Sequence, residues 1–156
     1  MTRKILRSQR TALFMGAAMF AAATMSSADT IRLVKPDGRI QRLEAFFRSY
    51  HCPAPLLVAE YLRAADANDI DYRLLPAVSV RESTCGIHAR FNNRWGWNSA
   101  RSGFESLAHG IQFVAHELAS GRYYRGKTVE EKLRAYNPNP EYPAEIRKLM
   151  REIETD

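Results

Sequence analysis

Residues 80–99, VRESTCGIHARFNNRWGWNS, hold the densest group of side chains able to do chemistry. Glu82 follows the nearly all-apolar run LLPAVSV and stands where another apolar residue would fit. A carboxylate at the end of a buried helix loses solvation, which raises its pKa and keeps it protonated nearer neutral pH. That state suits a general acid that protonates the leaving oxygen of a glycosidic bond. The plainer reading is a glutamate exposed on the last helical turn, or paired with Arg81 or Arg90. Its neighbours bear on the choice. Ser83 can hydrogen-bond the backbone or the carboxyl group, and Gly86 permits a tight helix exit. Asn92 and Asn93 offer amide donors and acceptors that match sugar hydroxyl and acetamido groups. Trp95 and Trp97, flanking Gly96, offer flat faces that stack on pyranose rings or else fill core space.

The elements that must position these side chains read as helices. RIQRLEAFFRSY places Ile40, Leu43, Phe46 and Phe47 at helical spacing. PAPLLVAEYLRAADAND opens with prolines, which suit a helix start, and carries Leu57, Tyr61, Ala64 and Ala65 on one stripe. RLLPAVSVRES predicts a mostly apolar helix with Pro76 in its first turn. Residues 86–103 are rich in Gly, Asn, Ser and Arg and predict a long loop. FESLAHGIQFVAHELAS sets Leu107, Ile111, Val114 and Leu118 on one face and stops at Gly121. TVEEKLRAY begins with a capping pair, Thr128 and Glu131. After the turn-rich NPNPEYP, PAEIRKLMREIE closes with Ile146, Leu149, Met150 and Ile153 on one stripe. No alternating stretch is long enough to predict a sheet. The expectation is one mainly α domain of about six helices, residues 39–156, behind an irregular lead over 29–38.

Residues 1–28 read differently. Arg3, Lys4, Arg7 and Arg10 precede the apolar TALFMGAAMFAAATM, and SSA ends at Ala28. A basic start, a short apolar run and small residues at a cleavage site predict a secretory signal peptide. The alternative is an uncleaved anchor, although the run is short for a span of about 20 residues. The 156-residue chain has 23 basic and 17 acidic residues, a formal charge of +6. Without residues 1–28, which hold four basic residues and no acid, the counts become 19 and 17, about +2. That balance argues against nucleic acid as a partner. In an oxidising compartment Cys52 and Cys85 read as a disulfide closing about 32 residues, a stabilisation of roughly 3 kcal/mol; two buried thiols are the alternative. His51, His88, His109 and His116 make no close-spaced ligand set with the cysteines, so neither a metal nor another cofactor is expected.

Glu-Ser-x-x-Gly followed by Asn-Asn-x-Trp-Gly-Trp resembles the bacterial glucosaminidase family of peptidoglycan hydrolases. FESLAHGIQFVAHEL is similar to the segment after that family's loop, and RAYNPNPEYPAEIRKLM to its tyrosine-containing turn, second tyrosine and closing helix. Ala135-Tyr136-Asn137 also resembles the Ala-Tyr-Asn of lytic transglycosylases, which share the lysozyme-like fold. The likeness covers about residues 54–153. It implies a lysozyme-like domain with Glu82 as catalytic acid. Asn92, Asn93, Trp95 and Gly96 would form the loop beside the cleft, and Tyr136 would approach the catalytic centre. By its residues alone Tyr136 reads instead as a packed aromatic before a Pro-rich turn. Trp97 stands where the family usually has Ile or Val followed by Lys, and the Gln-rich segment of lytic transglycosylases is absent.

The expectation is an exported, monomeric enzyme, periplasmic or secreted, that hydrolyses peptidoglycan glycan strands as an endo-β-N-acetylglucosaminidase. Catalysis would fall to Glu82 and Tyr136, and sugar binding to Ser83, Asn92, Asn93, Trp95, Gly96, Trp97 and Asn137. No lasting membrane insertion is expected after cleavage of the leader. Glycoside hydrolysis normally uses two acids; Glu105, Glu117 and Glu141 are the candidates. Lysozyme-like relatives often use one glutamate and the substrate's acetamido oxygen, and that scheme is preferred. The alternatives are a lytic transglycosylase giving 1,6-anhydro ends and a non-catalytic glycan-binding module. Arg90, Arg94 and Arg101 offer a basic face to anionic wall polymers, or are simply solvated.

Overall fold

The computed structural model describes residues 36–155, so the leader expected over 1–28 and residues 29–35 of the lead lie outside the described residues. Six helices follow in order: α1 (Gly38–Ser49), α2 (Val58–Asn68), α3 (Leu74–Ser83), α4 (Leu107–Ser120), α5 (Val129–Tyr136) and α6 (Tyr142–Thr155). No strand occurs among the described residues. The protein is mainly α, as its apolar spacing predicts.

Helix ends follow local chemistry. Asp37 accepts from the Arg39 amide at 2.9 Å and caps α1, so the expected lead gives way to helix at Gly38. Thr128 and Glu131 form a complete capping box at the start of α5. Ser106 accepts from the His109 amide at 3.0 Å, so α4 begins at Leu107 rather than Phe104. The prolines expected to open α2 instead precede it. Each proline disfavours helical geometry at the residue before it, and Leu57 adopts φ 51° just ahead of Val58.

Helix α3 sits at the centre. Residues 74–80 are all buried, whereas α1, α2, α4 and α6 bury one stripe each. Leu43, Phe46 and Phe47 of α1 join Tyr61 and Leu62 of α2, Ile111, Val114 and Leu118 of α4, and Ile146 and Ile153 of α6 in one core around it. Helices α6 and α4 both pack on α3, and α5 packs on α6. Cys52 and Cys85 form the disulfide, with Cα atoms 5.5 Å apart and a sequence separation of 33. It pins the exit of α3 to the segment between α1 and α2, and a loop of this length gives roughly 3–4 kcal/mol in the chain-entropy picture. No helix among the described residues is long and apolar enough to cross a membrane.

Candidate active site

Glu82 lies on the last turn of α3, half-buried, one residue past the exposed Arg81. Arg81 does not pair with it. The Arg81 guanidinium reaches Glu145 of α6 at 2.5 Å instead. The partner of Glu82 is Tyr142, whose hydroxyl donates to Oε1 at 2.7 Å. Ser83 turns away from the carboxylate. Its hydroxyl donates to the Arg94 carbonyl at 2.7 Å and accepts from the Gly86 amide at 2.9 Å, tying the long loop to the end of α3. Gly86 has φ +107°, and a Cβ there would stand 2.6 Å from Nε of Arg94. Arg94 is accordingly buried and not part of the exposed basic face expected with Arg90 and Arg101.

The amides shape the loop more than they face a ligand. Asn93 is 3% exposed. Its Nδ2 donates to the carbonyls of Trp97 at 2.9 Å and Ser102 at 2.8 Å, and its Oδ1 accepts from the Trp97 amide at 2.9 Å. Asn92 is exposed and donates to the Phe104 carbonyl at 3.1 Å. Trp95, expected as part of the binding wall, is fully buried. Its indole donates to the Leu75 carbonyl at 3.2 Å and meets Tyr61 and Phe104 edge-on, so no face remains for a sugar.

The site gathers around Gly96 and Trp97. A cleft of about 850 Å³ runs from Glu82 and Gly96 past Trp97, Phe113, Tyr124, Tyr136 and Asn137. Trp97 is half-buried, with its ring 5.9 Å from each of Phe113, Tyr124 and Tyr136. Gly96 adopts φ +63°, and a Cβ on it would come within 3.1 Å of Oε2 of Glu82. The glycine is needed both for its backbone and to leave that oxygen uncovered. Tyr136 donates its hydroxyl to the Trp95 carbonyl and lies parallel to Tyr142, with ring centroids 6.1 Å apart. Asn137 accepts from the Asn139 amide at 3.0 Å and shapes the turn between α5 and α6. Of the candidate second acids, Glu117 lines the cleft. Glu105 points outward with its side chain 91% exposed, and Glu141 is exposed on the turn before α6.

Three phenols in this region stay protonated above the ordinary tyrosine range. For Tyr142 burial is the main cause, and its hydrogen bond to Glu82 adds to this. Burial also raises Tyr136, with a smaller contribution from the Glu82 charge, and raises Tyr124, with one from Glu117. Tyr142 is therefore a lasting donor. It occupies Oε1 and leaves Oε2, the oxygen beside Gly96, open to the cleft. Tyr142, Phe113, Tyr124 and His109 were not among the residues expected at the site, although Tyr142 lies in the closing turn that carries the glucosaminidase likeness. Among the described residues, no group of three or more His, Cys, Asp or Glu side chains gathers as a metal site.

Comparison with models of protein families, with characterised proteins and with solved structures gave no significant match to this chain.

Proposed function

We propose that the protein is an exported glycosidase with a lysozyme-like domain, acting on the glycan strands of peptidoglycan. The observation that carries this reading is the placement of Glu82. One carboxylate oxygen is held by Tyr142 and the other opens beside Gly96 into a long cleft walled by aromatic rings. Aromatic faces along a cleft suit pyranose rings, and a carboxyl group within it suits protonation of a glycosidic oxygen. The Glu-Ser, Asn-Asn-x-Trp-Gly and Tyr-Asn motifs support the same reading.

In this scheme Glu82 protonates the leaving oxygen through Oε2. The acetamido oxygen of the sugar attacks its own anomeric carbon, and water then opens that ring to give a reducing end. Tyr142 orients the acid. Tyr136 anchors the loop through the Trp95 carbonyl and presents its ring, so it holds the wall of the site rather than moving a proton. The test is clearance of purified peptidoglycan by the wild-type protein and by Glu82→Gln. The substitution is expected to lower the rate by about two to four orders of magnitude. Equal clearance by both proteins would remove Glu82 from the mechanism. Glycan binding by both with cleavage by neither would make the protein a binding module. Mass spectrometry of the products should show reducing ends; 1,6-anhydro ends as the main product would make it a lytic transglycosylase.

A further inference from the structure

Two hollows meet at Glu82, and they differ in charge. The larger is the aromatic cleft, where Glu117 is the second carboxylate. The smaller, about 240 Å³, lies on the other side of Glu82 and Gly96 and is lined by His88, Arg90, Ser83, Asn93 and Ala100. Ser83 and Asn93 are buried and spend their polar atoms on the loop. The groups left to meet a ligand there are the exposed Arg90 and His88. Among the described residues, neither Arg90 nor Glu117 has an ion-pair partner. One arm is therefore aromatic and holds Glu117 and His109, the other is short and holds Arg90 and His88, and the carboxyl group of Glu82 stands at their junction.

The geometry points to a fixed register of the strand across Glu82. The acid-bearing sugar occupies the small arm, with its carboxylate on Arg90 and His88, and the neutral N-acetylated sugar lies in the aromatic arm. This rests on the glycosidase reading. The Arg90 guanidinium offers a fork of donors that fits a carboxylate. Glu117 repels the same substituent from the other arm. The small hollow falls below the roughly 300–1,000 Å³ of sites that enclose whole ligands, which suits one ring with its substituent. In a peptidoglycan strand that carboxylate comes either from a free lactyl group or from an attached stem peptide.

Three substrates separate these cases: a neutral N-acetylglucosamine oligomer, peptide-free strands with lactyl carboxylates, and strands that keep their peptides. The wild-type protein is expected to favour the anionic strands in kcat/KM. In Arg90→Gln, and more so in the double variant His88→Gln/Arg90→Gln, that preference should fall by about threefold to tenfold, mainly through KM. Added salt should erode the wild-type preference and leave that of the double variant nearly unchanged. Arg90→Lys should restore part of it, which separates charge from folding, and Arg151→Gln on α6 controls for net charge. An effect on the peptide-free strands alone assigns the free lactyl carboxylate, and an effect on the peptide-bearing strands alone assigns a carboxylate of the peptide, because attachment turns the lactyl carboxyl into an amide; an effect on both shows that the arm takes either carboxylate. Cleavage of all three substrates with the preference unchanged in Arg90→Gln overturns the register and leaves the glycosidase reading intact. Cleavage of none by the wild-type protein overturns both.

Discussion

Trp95 and Trp97 are separated by one glycine and do opposite work. Trp95 is fully buried, with its indole N–H on the Leu75 carbonyl. Trp97 is half-buried and lies against Phe113, Tyr124 and Tyr136 at the wall of the cleft. Between them Gly96 turns the chain with φ +63°, so the two side chains leave in different directions. The difference separates a ring held in the core from a ring that walls the cleft. Trp95 and Ser83 fasten the segment to α3 and Asn93 ties it to itself, which leaves Trp97 and Gly96 lining the cleft beside Glu82.

The largest expected effect breaks this pair apart. Trp95→Ala should destabilise the fold by about 3–5 kcal/mol, because it empties a core position and orphans the Leu75 carbonyl. Trp97→Ala should lower stability by only about 1–2 kcal/mol, since its contacts are partly solvent-facing ring pairs. Its loss should appear instead as roughly tenfold weaker action on glycan by folded protein. Denaturant unfolding and a clearance assay, run on both variants, check the contrast. Equal destabilisation by the two substitutions would show that both rings belong to the core.

The same pair marks how far the sequence could be read. Glu82 was legible because an apolar run without alternation announces a buried helix, and a carboxylate ends it. The capping box of Thr128 and the pairing of Cys52 with Cys85 were legible for similarly local or countable reasons. Which tryptophan would be buried was not. The answer depends on Tyr61 of α2, Leu75 of α3 and Phe104 before α4 converging on one side of a loop that has no period of its own. Tyr142 was missed as a site residue for a related reason. It lies 60 positions from Glu82 and reaches it only because α6 packs on α3.

The paired asparagines sharpen the comparison at a smaller scale. Asn93 makes three hydrogen bonds inside the loop, whereas Asn92 is exposed. Asn93→Ala should cost about 2 kcal/mol and loosen the segment that carries Trp97; Asn92→Ala should stay within about 0.5 kcal/mol of wild type. Asn93→Asp is the stricter test. Aspartate can still accept from the Trp97 amide, but it sets a carboxylate against the carbonyls of Trp97 and Ser102. If Asn93→Asp matched wild type in thermal stability, the donor role assigned to this side chain would be lost.

The smallest effect concerns the two parallel phenols. Tyr136→Phe removes the bond to the Trp95 carbonyl and should act on stability, by about 1 kcal/mol. Tyr142→Phe removes the donor to Glu82 and should act on rate, by several-fold, with Oε1 no longer held. The pH dependence of stability separates them further. The folded protein holds the Tyr142 proton more tightly than the unfolded chain does, because burial and the bond to Glu82 raise its pKa above the ordinary tyrosine value of about 10. That contribution is complete below pH 10 and is lost as pH climbs toward the folded value, because the unfolded chain ionises first. Tyr61, pushed up to about 12 by burial, contributes the same slope in both proteins. The Tyr142→Phe variant should therefore lose stability less steeply than wild type above pH 10, and the gap between the two should narrow as pH rises. A constant gap measured by urea unfolding at pH 8 and pH 11 would mean that the phenol is not held as its contact with Glu82 requires.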